Sequence, residues 1–129
     1  MPTPGLNKRL HQVLTTDPDV VIIPFKAQVN GTTHPDNLEC ANIASVTREE
    51  AGEFLFTLNK IPAKCIIGVA GISDTADDVD RYCRVDWSTV ESAGTFKVFV
   101  QTGATQTDPT DNMLIGGFLL CLKSSKGWS

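Results

Sequence analysis

Residues 113–123 read MLIGGFLLCLK and residues 95–101 read TFKVFVQ. The second run alternates: Phe96, Val98 and Val100 fall on one side, the period-two signature of a strand with one buried face. The first run is apolar almost throughout, which predicts a strand crossing the centre of a sheet. Working outward from these two, residues 81–87 (RYCRVDW) set Tyr82, Cys83, Val85 and Trp87 among Arg81, Arg84 and Asp86. Residues 63–72 carry the run Cys65-Ile66-Ile67-Gly68-Val69, residues 53–58 read EFLFTL, and 38–46 is a further strand candidate. Residues 20–29 (VVIIPFKAQV) are β-branched and aromatic, but Pro24 removes a ladder donor and points to an edge strand or a bulge. Strands at this spacing, with turn residues between them and no second helical pattern to cover a parallel sheet, predict an all-β fold. The expected architecture is an antiparallel β-sandwich, jelly-roll-like, over residues 20–129. Phe54, Phe56, Phe96, Val98, Ile115 and Leu119 are its expected core.

The first 19 residues read differently. Residues 1–5 hold two prolines and a glycine, and residues 6–15 (LNKRLHQVLT) place Leu6, Leu10, Val13 and Leu14 at helical spacing. Thr16-Asp17-Pro18-Asp19 ends the pattern, because the residue before proline avoids helical geometry. Residues 1–19 are therefore expected to form an arm or short helix. Its apolar stripe, next to the cations Lys8 and Arg9, is expected to serve as an attachment arm. The alternative is that the stripe packs on the protein's own sandwich.

Two turn features stand out. Asn30-Gly31 is the strongest short turn signal in the chain and opens a polar loop running to Asn37. Residues 49–58 (EEAGEFLFTL) and 91–100 (ESAGTFKVFV) share Glu, Ala, Gly and Phe at matching places, 42 positions apart. The pattern predicts one device used twice, a strand entering an Ala-Gly turn and a Phe-led strand leaving it, at corresponding edges of a two-sheet structure.

Composition narrows the function classes. With 129 residues, 41% hydrophobic and 20% charged, the chain makes one domain and is not a disordered tail. A net charge of −4 disfavours nucleic acid as a partner. No apolar run approaches the ~20 residues a membrane helix needs. MPTPGLNKRLHQVL lacks a long apolar core, so no signal peptide is expected and synthesis is expected in the cytoplasm. Cys40, Cys65, Cys83 and Cys121 are widely spaced with no CxxC, which argues against structural zinc and for buried free thiols. Neither His11 nor His34 has a local partner suited to a base or a metal ligand.

Asp74 to Asp80 (DTADDVD) is a carboxylate cluster without the glycine turn of a calcium loop and reads as a solvated loop. Thr107 to Asn112 (TDPTDN) reads as a self-capping turn, with Asp108 and Asp111 available to a partner. Gly116-Gly117, inside an apolar run, reads as a bulge or a close-packing site. No Ser-His-Asp arrangement and no phosphate-cradling glycine loop occurs. The expectation is a protein without catalytic residues and without a cofactor.

Certain phrases of the sequence, VNGT, IASVTREEAGEFLFTL and TGATQTDPTDNMLIGGFLLCLKSS, occur in this order along residues 24–125. They resemble the small capsid cement, decoration or stabilisation proteins of tailed bacteriophages. In these a strand ending in NGT precedes an ASVTR hairpin, and a D..DN loop precedes a long terminal strand. The N-terminal segment and the DTADDVD loop lie outside the resemblance. It implies a non-enzymatic virion protein on the outer capsid surface, stabilising the shell by bridging major capsid protein subunits. Its partners would be the major capsid protein and further copies of itself, as a trimer in preference to a dimer. Candidate contact residues are Leu6, Lys8, Arg9, Leu10 and Val13 in the arm, Pro24 on the edge strand, and Asn30, His34, Asp108 and Asp111 in loops. Two other classes remain: a tail or head-fibre module binding a receptor or carbohydrate, and a small β-barrel enzyme or ligand carrier.

Overall fold

The computed structural model describes residues 20–37, 40–73, 80–109 and 112–123. The elements in chain order are β1 (Val20–Val29), β2 (Asp36–Asn37), β3 (Ile43–Glu50), β4 (Glu53–Leu58), β5 (Lys64–Ser73), β6 (Arg81–Asp86), a single helical turn α1 (Val90–Ala93), β7 (Thr95–Thr102), β8 (Thr105–Gln106) and β9 (Met113–Leu122). They form two antiparallel sheets packed face to face. The first has the order β2-β1-β9-β5; the second has the order β3-β4-β7-β6, with β8 paired to β7. The apolar strand β9 lies between β1 and β5, in full register with β1 from Val20↔Leu122 to Val29↔Met113. Pro24 is accommodated because β2 covers only Ala27 and Gln28 on the outer flank of β1.

The core is aromatic at its centre. Phe56 of β4 and Phe96 of β7 stack in register, with ring centroids 5.0 Å apart and 9° between planes. Phe25 of β1 crosses from the facing sheet and tilts onto both, at 5.0 and 4.8 Å. Phe54, Phe56, Phe96, Val98, Ile115 and Leu119 are all fully buried, as the alternation requires. Cys65 and Cys121 are cross-strand neighbours with free thiols. Burial pushes both thiols up from their ordinary range, and it pushes the Cys83 thiol up to about 11.

Several expectations are corrected. The candidate strand 38–46 is displaced to Ile43–Glu50, where Val46↔Phe56 and Thr47↔Leu55 pair it to β4. Asn30-Gly31 opens the polar loop as expected, with Thr33 N–H bonded to Asn30 O at 3.0 Å, before β2 returns to β1. Tyr82 and Cys83 lie on opposite faces of β6, as alternation requires, and Tyr82 points outward and donates its hydroxyl to Gly103 O at 2.9 Å. Gly116-Gly117 carries no bulge, since the register through it is continuous. A Cβ at Gly117 would collide with the backbone of Val69, so close packing explains that glycine.

The two similar stretches do not sit at corresponding edges. Ala51-Gly52 closes the β3–β4 hairpin, whereas Ala93-Gly94 ends α1, with Gly94 in the left-handed conformation at φ 70°. Their Phe-led strands, β4 and β7, are inner neighbours of one sheet, paired Phe54↔Val98 and Phe56↔Phe96. Positions 54 and 96 are equivalent in the similarity, as are 56 and 98. The pairing therefore maps onto itself under a local two-fold, and the likeness lets the two strands complement each other.

Candidate interaction surfaces

One end of the sandwich gathers loops that lie far apart in sequence. The carboxylate of Asp108 is its hub. It accepts two hydrogen bonds from the Arg48 guanidinium, at 2.9 and 2.7 Å, and a third from the Gly52 backbone N–H at 2.9 Å. Gly52 must be glycine here: its φ is 68°, and its carbonyl accepts from Val100 N–H at 2.7 Å. Gly31 N–H donates to Pro109 O at 2.6 Å, and Gln28 Nε2 reaches Asn112 O at 3.3 Å. The loop after β1, the β3–β4 turn and the segment before β9 are thus tied into one unit across both sheets.

The loop unit has an acid-sensitive element. Partial burial pushes the Asp108 carboxyl up, but the bonds from Arg48 and Gly52 together outweigh that and hold it below its ordinary value. A carboxyl depressed in the folded state contributes stability above its unfolded pKa of about 4, and that contribution disappears as pH falls through the folded value. Asp108→Ala should cost about 1–3 kcal/mol, chiefly by orphaning the buried Gly52 N–H. In melting curves taken from pH 7 down, the variant should differ most from the parent at neutral pH, and the gap should narrow as pH falls through the lowered folded value of the Asp108 carboxyl. A constant gap across that range would remove Asp108 from the acid response.

The rim around this hub is exposed. Asn30 and His34 stand in solvent, and His34 lines a shallow groove of about 290 Å³ with Asp36, Asn37 and residues 44–47. Of the residues singled out in sequence, the structure brings Asn30, His34 and Asp108 to this end and leaves Pro24 on the outer face of the β1-β9-β5 sheet. Asp108 is committed to its internal partners rather than free on the surface. Leu6, Lys8, Arg9, Leu10, Val13 and Asp111 lie outside the described residues, as does the DTADDVD loop apart from Asp80.

A second surface includes Pro24 but none of the other described residues singled out in sequence. The outer face of the β1-β9-β5 sheet carries two apolar rows set by register, Ile22–Leu120–Ile67 and Pro24–Phe118–Val69. Phe118 is 40% exposed, Ile67 40% and Val69 38%. The next row, Lys26–Gly116–Gly71, has only one side chain, which leaves a groove of about 550 Å³ beside the ridge. The other sheet treats its outer face differently. Its Phe99 is only 9% exposed, because the Arg84 guanidinium lies over the ring at 4.3 Å, and Lys97 and Glu53 pair beside it at 3.4 Å. Among the described residues there is no cluster of three or more histidines, cysteines or carboxylates able to hold a metal ion, and no helix is long and apolar enough to cross a membrane. Comparisons with protein-family models, curated proteins and solved structures found no match for this chain.

Proposed function

We propose that this chain is a structural protein of a bacteriophage virion, which binds the outer capsid surface and stabilises the shell by bridging major capsid protein subunits. The observation that carries the reading is the convergence of the resembling phrases. Gly31 of VNGT, Arg48 of SVTR, Gly52 of EEAG and Asp108-Pro109 of TDPTDN meet in one hydrogen-bonded unit. Elements that define the resemblance only as scattered turns are thus neighbours that brace one another. A bridging protein must resist strain between subunits without rearranging. A loop end cross-tied to both sheets of a sandwich meets that demand, while the exposed rim at Asn30 and His34 supplies contact groups. Copies of the chain would assemble as a trimer, in preference to a dimer, to match a local three-fold of the shell.

The test is co-sedimentation with capsids stripped of the protein, followed by negative-stain imaging. Surface knobs on the shell are expected. The double variant Asn30→Ala, His34→Glu should weaken binding more than about tenfold, or 1.4 kcal/mol, without changing the melting temperature. Labelling of tails alone would favour the receptor-binding module, and absence of binding to either would reject the virion reading.

A further inference from the structure

We infer that the apolar outer face of the β1-β9-β5 sheet is a docking surface for this chain's own N-terminal segment, centred on residues 6–14. The face itself calls for a cover. Ile22, Pro24, Phe118, Leu120, Ile67 and Val69 are contiguous in register, and a contiguous apolar patch on a rigid sheet marks an interaction site. Phe99 on the other sheet lies under an arginine, whereas Phe118 stays 40% exposed and no cation lies over its ring among the described residues.

Gly71 adds an independent sign. A Cβ there would meet nothing within 4 Å, and its φ is not in the left-handed region. Neither packing nor backbone geometry within the described residues asks for glycine at that mid-strand position. A strand glycine without an internal reason fits a place where another chain segment comes close.

The tether argues for the occupant. Residues 1–19 lead directly into Val20, and Val20 stands in the row Val20–Leu122–Lys64, next to the apolar ridge. The stripe Leu6, Leu10, Val13 and Leu14 has helical spacing. Nine helical residues span about 13 Å, and the strand from Val20 to Pro24 also spans about 13 Å. Residues 15–19 can extend about 17 Å, more than the roughly 10 Å needed to climb one layer and turn back. Tethered there, the stripe faces the patch at an effective concentration near the millimolar range, well above that of a second copy at working dilution.

The inference is independent of the capsid reading and needs no capsid to test. Methyl-labelled full-length protein, studied by NMR at low concentration, should show nuclear Overhauser contacts from Leu6, Leu10, Val13 or Leu14 to Ile67, Val69, Phe118 or Leu120. In a mixture of labelled and unlabelled chains, those contacts should remain within one chain. Leu10→Asp should shift the Ile67, Val69 and Phe118 resonances and raise binding of a hydrophobic dye about threefold or more. Gly71→Val should abolish the contacts while leaving the core resonances in place. The inference is overturned by contacts found only between chains, by contacts arising from Trp128 instead, or by an outer face that shows none.

Discussion

Replacing Phe96 with alanine should lower the stability of the fold by about 3–5 kcal/mol, in the range set by large aromatic truncations in closed cores. The residue is fully buried. Its ring stacks on Phe56 in the same sheet and receives Phe25 from the facing one, so it touches both layers at the centre of the sandwich. The strand that carries it pairs with β4 at Phe96 itself and with β6 from Lys97 onward, which limits how far the backbone can move in to fill the void. The loss therefore belongs in the upper part of the range, because the cost of a cavity grows with how little its walls can relax. Lys97, the next residue, points to the opposite face, and Lys97→Ala should change stability by only about 0.5 kcal/mol. Urea denaturation of the two variants against the parent measures both. A Phe96→Ala protein with an unchanged midpoint would mean that the three rings do not hold the sheets together.

The strands that could be read from sequence are those whose faces differ in chemistry. EFLFTL and TFKVFVQ each put an unbroken apolar set on one side, so their bounds, their buried residues and the two-layer architecture followed from alternation. The candidate strand near residue 40 was displaced because Arg48, Glu49 and Glu50 look like loop residues. They are held in a strand by pairing with β4 on the far side of a tight turn, and that pairing outweighs their low strand preference.

The outer apolar face was hidden for a related reason. CIIGV is apolar with no polar residue to mark an outer side, and β5 has an irregularity between Cys65 and Ile67. Beyond it, Gly68 faces the core while Ile67 and Val69 face outward. No local pattern reveals such a reversal. Asp108 is similar: TDPTDN looks self-sufficient, whereas the partners of its carboxylate lie 60 and 56 positions earlier. Spacing carries no trace of contacts that exist only after the sheets have formed. The arm residues and Asp111 fall outside the described residues, so their expected roles rest on sequence alone.

Gly52→Ala should be about as damaging as a core truncation, although it adds only one methyl group. The backbone at this position has φ 68°, which costs a residue with a Cβ about 1–2 kcal/mol. The added carbon would also lie 2.5 Å from Val100 O and 2.8 Å from Thr107 N and O. Those are backbone atoms, with no flexible side chain to swing aside. The turn cannot yield either, because Gly52 O accepts from Val100 N–H and Gly52 N–H donates to Asp108. Relieving the collision must stretch one of these bonds, and overpacking of that kind costs about 1–3 kcal/mol more. Gly31→Ala is the matched control. Its φ is 56°, but a Cβ there meets nothing within 4 Å, so only the conformational cost applies, about 1–2 kcal/mol. Thermal melts of the two variants should therefore separate clearly, with the Gly52 protein also losing the acid-sensitive part of its stability as the Asp108 bond is strained. Equal losses at the two glycines would show that the loop end is pliable. It could not then transmit load between neighbouring subunits, and the bridging role proposed for that end would have to pass to another surface.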